Sequence, residues 1–223
     1  MTPPTTLLVF GASGHAKVVL DAIERVATYR VIGLVSKVDT AASRVFGYPV
    51  LGDDARVPSI LEDLEVDAAV IAIGDNWKRH EVARSLRERY PRIAFPAIVH
   101  PSAQLARGVT IGDGAVLLAG VVVNSDASIG AFCLLNTSSS LDHDCRMEIA
   151  SSLGPHAAVG GGAAIGAFSA VAMGATVLQQ RRIGEHSVVG ANALVLKDIP
   201  GYTVAHGAPA VPIRSRKIGD PYL

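Results

Sequence analysis

The 223 residues carry twenty basic and twenty acidic side chains, so no bulk field favours nucleic acid or an anionic membrane. Hydrophobic residues make up 49% but aromatics only 5%, so the core must be built from Val, Ile, Leu and Ala. Two cysteines exclude a disulfide framework, and the chain has neither a secretory leader pattern nor an apolar run long enough for a membrane span, so a cytoplasmic protein without a membrane partner is expected.

The N-terminal part reads as alternating strands and helices. "TTLLVF" is a short apolar strand, and "GASG" turns into the helical stretch "HAKVVLDAIERV", with Val18, Val19, Ala22, Ile23 and Val26 on one face. "RVIGLV" is a second strand. "DDARVPSILEDL" is broken by Pro58 and allows at most a short helix. "DAAVIAIG" is a third strand and "WKRHEVARSLRERY" a charged amphipathic helix, after which "RIAFPAIV" leads onward. This βαβαβ order predicts a small Rossmann-like parallel sheet over residues 1–97.

"FGASGHAK" lies between the first strand and the first helix, where free backbone N–H groups and a helix N-terminus meet anions. It lacks the third glycine of the dinucleotide fingerprint and the spacing of a P-loop, and "LVSKVD" places Ser36 and Lys37 where an NAD site needs an acid. A generic βα turn and a phosphorylated-ligand site are both open. Ser13, His15 and Lys17 crowd polar groups there and favour the ligand. Gly74, Asp75 and Asn76 repeat the logic after the third strand.

The remainder, residues 98–223, is a repeat. Stepping by six from Val99 to Val195 gives seventeen aliphatic or Met positions without insertion. Four residues after it usually stands a small residue, as at Ala115, Cys133, Cys145 and Ala157, and glycine often follows the aliphatic one. A period of six fits a short strand and a tight turn. Three such units close a triangular coil of eighteen residues, and coils stack about 4.8 Å apart through parallel hydrogen bonds. The expected architecture is an all-β prism, with Cys133 and Cys145 as core residues. Prism faces rich in Val and Ala favour a homotrimer.

"LDHDCR" interrupts this economical pattern with Asp142, His143 and Asp144 at a turn. A solvated turn, a metal site and an acid–base pair are the alternatives. The register puts His143, His156 and His186 on three different faces of the prism, so they cannot chelate one metal within a chain, and no metal is expected. A histidine flanked by carboxylates tends to have a raised pKa and a fixed tautomer, which suits a general base.

Taken together, "VFGASGHAKVVLDAI", "IAIGDNWKR", "HPSAQLARGVTIG", "LLNTSSSLDHDC" and "AHGAPAVPIR" resemble the sugar O- and N-acyltransferases of the sialic-acid acetyltransferase type. Within that family the nearest likeness is to bacterial N-acetyltransferases acting on nucleotide-linked 4-amino-4,6-dideoxyhexoses. The resemblance implies a left-handed β-helix and an acetyl-CoA-dependent transfer in lipopolysaccharide or glycan biosynthesis, with GDP-perosamine ahead of a UDP-4-amino sugar as substrate. It implies that His143 is the base and Asp144 its acidic partner. Gly11, Ser13, Gly14, His15, Ser36, Lys37, Gly74, Asn76 and Asn136 would meet the nucleotide sugar. Ser152, His156, Met173, Gly190 and Ala191 would meet acetyl-CoA, in a site between subunits of a trimer. The chain departs from the pattern at Ser152, where many relatives carry a histidine, and at Lys37, where uridine-binding relatives often carry acids. The rival readings are O-acetylation of a free sugar such as sialic acid and a β-helix scaffold without turnover.

Overall fold

The computed structural model describes residues 5–37 and 44–221. Val38 and Asp39, which follow the second strand, lie outside them. The N-terminal part runs β1 (Thr5–Phe10), α1 (Gly14–Val26), β2 (Tyr29–Val35), β3 (Arg44–Val45), β4 (Tyr48–Gly52), α2 (Val57–Asp63), β5 (Ala68–Ile71) and α3 (Asn76–Arg89). The sheet order is β3-β4-β2-β1-β5. Strand β1 is parallel to both β2 and β5, and β2 is parallel to β4, while β3 folds back antiparallel on β4. The β3–β4 pair is absent from the sequence expectation, because two short strands around Phe46 and Gly47, both at positive φ, read as a loop.

Helix α1 buries Ala16, Val19, Leu20, Ala22 and Ile23. Val18, expected on that face, is instead 43% exposed, and Val26 is half-buried. Pro58 sits in the first turn of α2, where its missing N–H costs no helical bond. Helix α3 buries Asn76, Arg79, Ala83 and Leu86. That is a stripe at helical spacing, but half of it is polar, which hides it from a hydrophobicity pattern.

From Ile98 to Val195 the chain forms seventeen two-residue strands, each ending on one of the predicted aliphatic positions. They sort into three parallel sheets, visited in turn and paired eighteen residues apart, as in Val122 with Ser140 and Leu134 with Ser152. We call them the first face (from Ile98–Val99), the second face (from Gln104–Leu105) and the third face (from Thr110–Ile111). The aliphatic ends fill the interior with the small corner residues Ala115, Cys133, Cys145 and Ala157. Each fully buried aliphatic side chain is worth about 1.5–3 kcal/mol. Leu105, in the lowest coil with no coil beneath it, is 42% exposed. Every sixth residue from 108 to 192 takes positive φ, as at Gly108, Asp126, Asp144, His156 and Gly174, so the corners turn through left-handed backbone with or without glycine. The first face continues into Thr203–His206 and an antiparallel edge strand, Val211–Ser215.

The N-terminal sheet domain sits on the first face. Ile98, Val116 and Leu134, the outward residues of that face, share a core with α1 and β1. Phe132 and Ala150, at the corner between third and first faces, share another with α3 and β5.

Candidate functional site

Asp142, His143 and Asp144 occupy the corner between the second and third faces, after the strand Ser140–Leu141. His143 Nδ1 lies 2.8 Å from Asp144 Oδ2, and the backbone N–H of His143 donates to Asp142 Oδ1 at 2.7 Å. The side-chain amide of Asn124, one coil below, donates to the same Asp142 oxygen at 2.8 Å. The two aspartates therefore have separate jobs: Asp144 holds the ring and Asp142 holds the backbone. Asn124 was missed by sequence reasoning, although its eighteen-residue offset from Asp142 is a readable signal.

The His143 pKa is raised, first by the hydrogen bond to Asp144 and then by the charge of Asp142. Asp142 is lowered, first by the bond from Asn124 and then by the His143 N–H. With Nδ1–H donated to Asp144, the neutral ring presents Nε2 as its base. The His143 side chain is 61% exposed.

A shallow groove of about 280 Å³ runs beside this corner along the second face, lined by Ser140, Asp142, Ala158, Gly160, Thr176 and Leu178 among others. The far edge of the same face is the corner between first and second faces. His156, Met173, Gly190, Ala191 and Asn136 all lie on that corner, one above another in successive coils. His156 and Met173 are exposed, and the ring of His206 lies over Gly190. Ser152 departs from expectation. It is the outward residue of a first-face strand, 4% exposed beneath the N-terminal domain, because nine residues are one and a half repeats and carry it to another face.

Gly11, Ser13, Gly14, His15, Ser36, Lys37 and Gly74 gather at the carboxyl edge of the N-terminal sheet. Gly11 has φ of +114°, and a Cβ there would sit 2.6 Å from the Ala72 carbonyl oxygen. Ser13 is the N-cap of α1, and the space around Gly14 is open. Lys37 pairs with Asp54 at 3.2 Å. His15 is lowered to about 4 by burial and by the nearby Arg79 charge, so it is neutral at ordinary pH.

Asn76 also departs from expectation. It is 3% exposed, and its amide donates to the carbonyls of Phe168 and Ser169 at 3.3 and 3.0 Å, so it joins the two domains. Arg79, unremarked in the sequence, does the same on a larger scale. It donates to the carbonyls of Phe132, Ala150, Ile73 and Gly74 and to Asn76 Oδ1, at 2.8–3.1 Å. Trp77 and His80 pack edge-on to Phe168, and His186 stacks between Phe168 and Tyr202, forming an aromatic joint.

The three histidines His143, His156 and His186 stand at three different corners, and among the described residues no group of three His, Cys, Asp or Glu is placed to hold a metal. Cys133 and Cys145 are buried and belong to the prism core. No helix among the described residues is long and apolar enough to cross a membrane.

Residues 6–86 match the family described as the PglD N-terminal domain. Over 96% of this chain and 99% of the other, the fold superposes on PerB from Caulobacter crescentus in complex with CoA and GDP-perosamine, with TM-score 0.87 and 33% identity. A histidine-to-alanine variant of GDP-perosamine N-acetyltransferase from the same organism gives TM-score 0.88 and 32% identity over the same shares. The acetyltransferase domain of PglB from Neisseria gonorrhoeae gives 0.85 and 30%, over 93% of this chain and 99% of that one. A candidate acetyltransferase from Schizosaccharomyces pombe is 60% identical over 38 residues, a match spanning 17% of this chain and 18% of that protein.

Proposed function

The chain belongs to the sugar N-acetyltransferase family, and from that premise we propose that it moves the acetyl group of acetyl-CoA to the 4-amino group of a nucleotide-linked 4-amino-4,6-dideoxyhexose. GDP-perosamine is the first candidate, because the relative that superposes over nearly the whole chain holds it together with CoA. A UDP-4-amino sugar is the second. The observation that carries the reading is the His143–Asp144 pair on the rim of a groove, within a chain of this family.

The nitrogen of the sugar amine attacks the thioester carbonyl, and a C–N bond forms. His143 Nε2 takes the proton of the attacking amine, while Asp144 stabilises the charged ring. Backbone N–H groups of the β-helix would hold the oxyanion. The C–S bond then breaks, and the proton passes to the thiolate, giving the N-acetyl sugar and free CoA. Asp144 acts through His143 and is a positioning residue. Acetyl-CoA would lie along the second face, between His143 on one edge and His156, Met173, Gly190 and Ala191 on the other.

The nucleotide sugar would bind at the carboxyl edge of the N-terminal sheet. Its phosphates would meet the first N–H groups of α1 after Ser13. His15, being neutral, would serve there as a hydrogen-bonding group and not as a fixed cation.

This arrangement supports a reaction between copies. The N-terminal domain covers the first face, and His143 stands at the opposite corner of the same prism. In this reading a sugar bound on one chain meets the histidine of another. A homotrimer, in which the N-terminal domain of each copy faces His143 of the next, is the closed ring we favour.

The direct test is His143→Ala in folded protein that still binds acetyl-CoA. Turnover should fall by about 100-fold or more. Near-parental turnover would remove His143 as the base.

A further inference from the structure

We propose that Gly161 is a positioning residue for the transfer reaction: its missing side chain is the seat on which the His143 imidazole rests. The inference takes His143 as the base and adds what holds its ring.

Gly161 is one coil above His143, in the run Gly160–Gly161–Gly162, which the repeat alone does not require. The three glycines answer three different demands. A Cβ on Gly160 would sit 2.8 Å from the backbone nitrogen of Gln179, so that position is closed by the next coil. Gly162 has φ of +66°, the left-handed corner value that other residues adopt elsewhere in the prism. Gly161 has neither constraint. The three atoms nearest a Cβ there all belong to the ring of His143, at 2.5 Å for Nε2, 2.7 Å for Cε1 and 3.1 Å for Cδ2. Gly161 is buried although it lies at a corner next to an exposed histidine, as a ring packed against it demands.

His143 is thus held in three ways. Asp142 fixes its backbone, Asp144 fixes Nδ1, and Gly161 supports the edge that carries Nε2. Contact between carbons is comfortable at about 3.5–4.0 Å, so an added methyl must displace the ring by roughly 1 Å. The ring end is mobile and the coil is not, so the ring gives way. A misplacement of that size costs on the order of 100-fold in turnover. It also stretches the bond from Nδ1 to Asp144, which is what raises the His143 pKa.

The test compares Gly161→Ala with the parent and with His143→Ala. Its readouts are thermal melting, kcat with a nucleotide amino sugar, and an NMR titration of His143. The melting temperature of Gly161→Ala should stay close to the parent, because the backbone angle there is ordinary. kcat should fall about 10- to 100-fold, and the His143 titration should move down toward the usual imidazole value. Parental kcat together with an unmoved titration would overturn the proposal. Failure of Gly161→Ala to fold would also overturn it, since something other than the ring would then occupy the space. Should His143→Ala keep its turnover, the base assignment fails, while the titration of His143 in Gly161→Ala still decides the seat.

Discussion

Asp144 Oδ2 accepts from His143 Nδ1 at 2.8 Å, and this bond is the largest cause of the raised His143 pKa. A base works only when deprotonated, so a raised pKa moves the acid limb of the kcat/KM profile to higher pH. Asp144→Asn keeps a residue that tolerates the left-handed corner, where φ is 57°, and removes the charge. Its acid limb should shift to lower pH, and turnover at the optimum should fall about 10-fold or more as the ring loses its fixed tautomer. An unchanged pH–rate profile would show that Asp144 does not act on His143.

His15 contributes in the opposite direction. Its pKa is lowered to about 4, so between pH 6.5 and 4 the unfolded chain binds a proton there that the folded chain does not. Stability should therefore drop as pH falls through this window, by about 3 kcal/mol from this residue. His80 and His186 are also lowered by burial and add to the acid loss. Melting curves of His15→Gln should show a smaller loss between pH 7 and pH 4.5 than the parent. An equal loss would place the acid sensitivity elsewhere.

Arg79 holds the joint between the domains. Arg79→Met leaves the carbonyls of Phe132, Ala150, Ile73 and Gly74 without their donor. The expected cost is about 3–5 kcal/mol, or roughly 10 °C in melting temperature for a chain of this size. His15 should also titrate at higher pH, since a neighbouring positive charge is gone. Calorimetry and a histidine NMR titration check both, and a melting temperature within about 2 °C of the parent would contradict the assignment.

The β-helix was legible residue by residue, because an unbroken period of six leaves one register, and that register fixes which face each side chain takes. It puts Leu141 and Cys145 in the core and Asp142, His143 and Asp144 on the edge between them, as observed. What it hid is instructive. Ser152 was carried over by likeness at a fixed offset, yet its own register puts it under the N-terminal domain. Asn76 was expected to meet the ligand and Arg79 went unremarked in a charged helix, because a buried polar stripe has no hydrophobic signature. Their partners are backbone carbonyls up to 93 residues away, which no local pattern reveals. Val18 was assigned inward by spacing alone, and α1 settled with Leu20 in the core instead.

If the reaction lies between copies, two inactive variants should rescue each other. His143→Ala removes the base, and Gly14→Phe fills the open space at the start of α1. Subunits mixed under conditions that allow exchange should recover a fraction of parental turnover, and sedimentation should give three times the subunit mass. Failure to recover activity in an exchanged mixture would place both halves of the site in one chain.

The most direct measurement is mass spectrometry of products after incubation with acetyl-CoA and each of GDP-perosamine, a UDP-linked 4-amino-4,6-dideoxyhexose and sialic acid. The account predicts a single acetyl group on the sugar nitrogen of a nucleotide-linked amino sugar, with stoichiometric release of CoA. Acetylation confined to hydroxyl groups of sialic acid, or no transfer to any of the three, would contradict it.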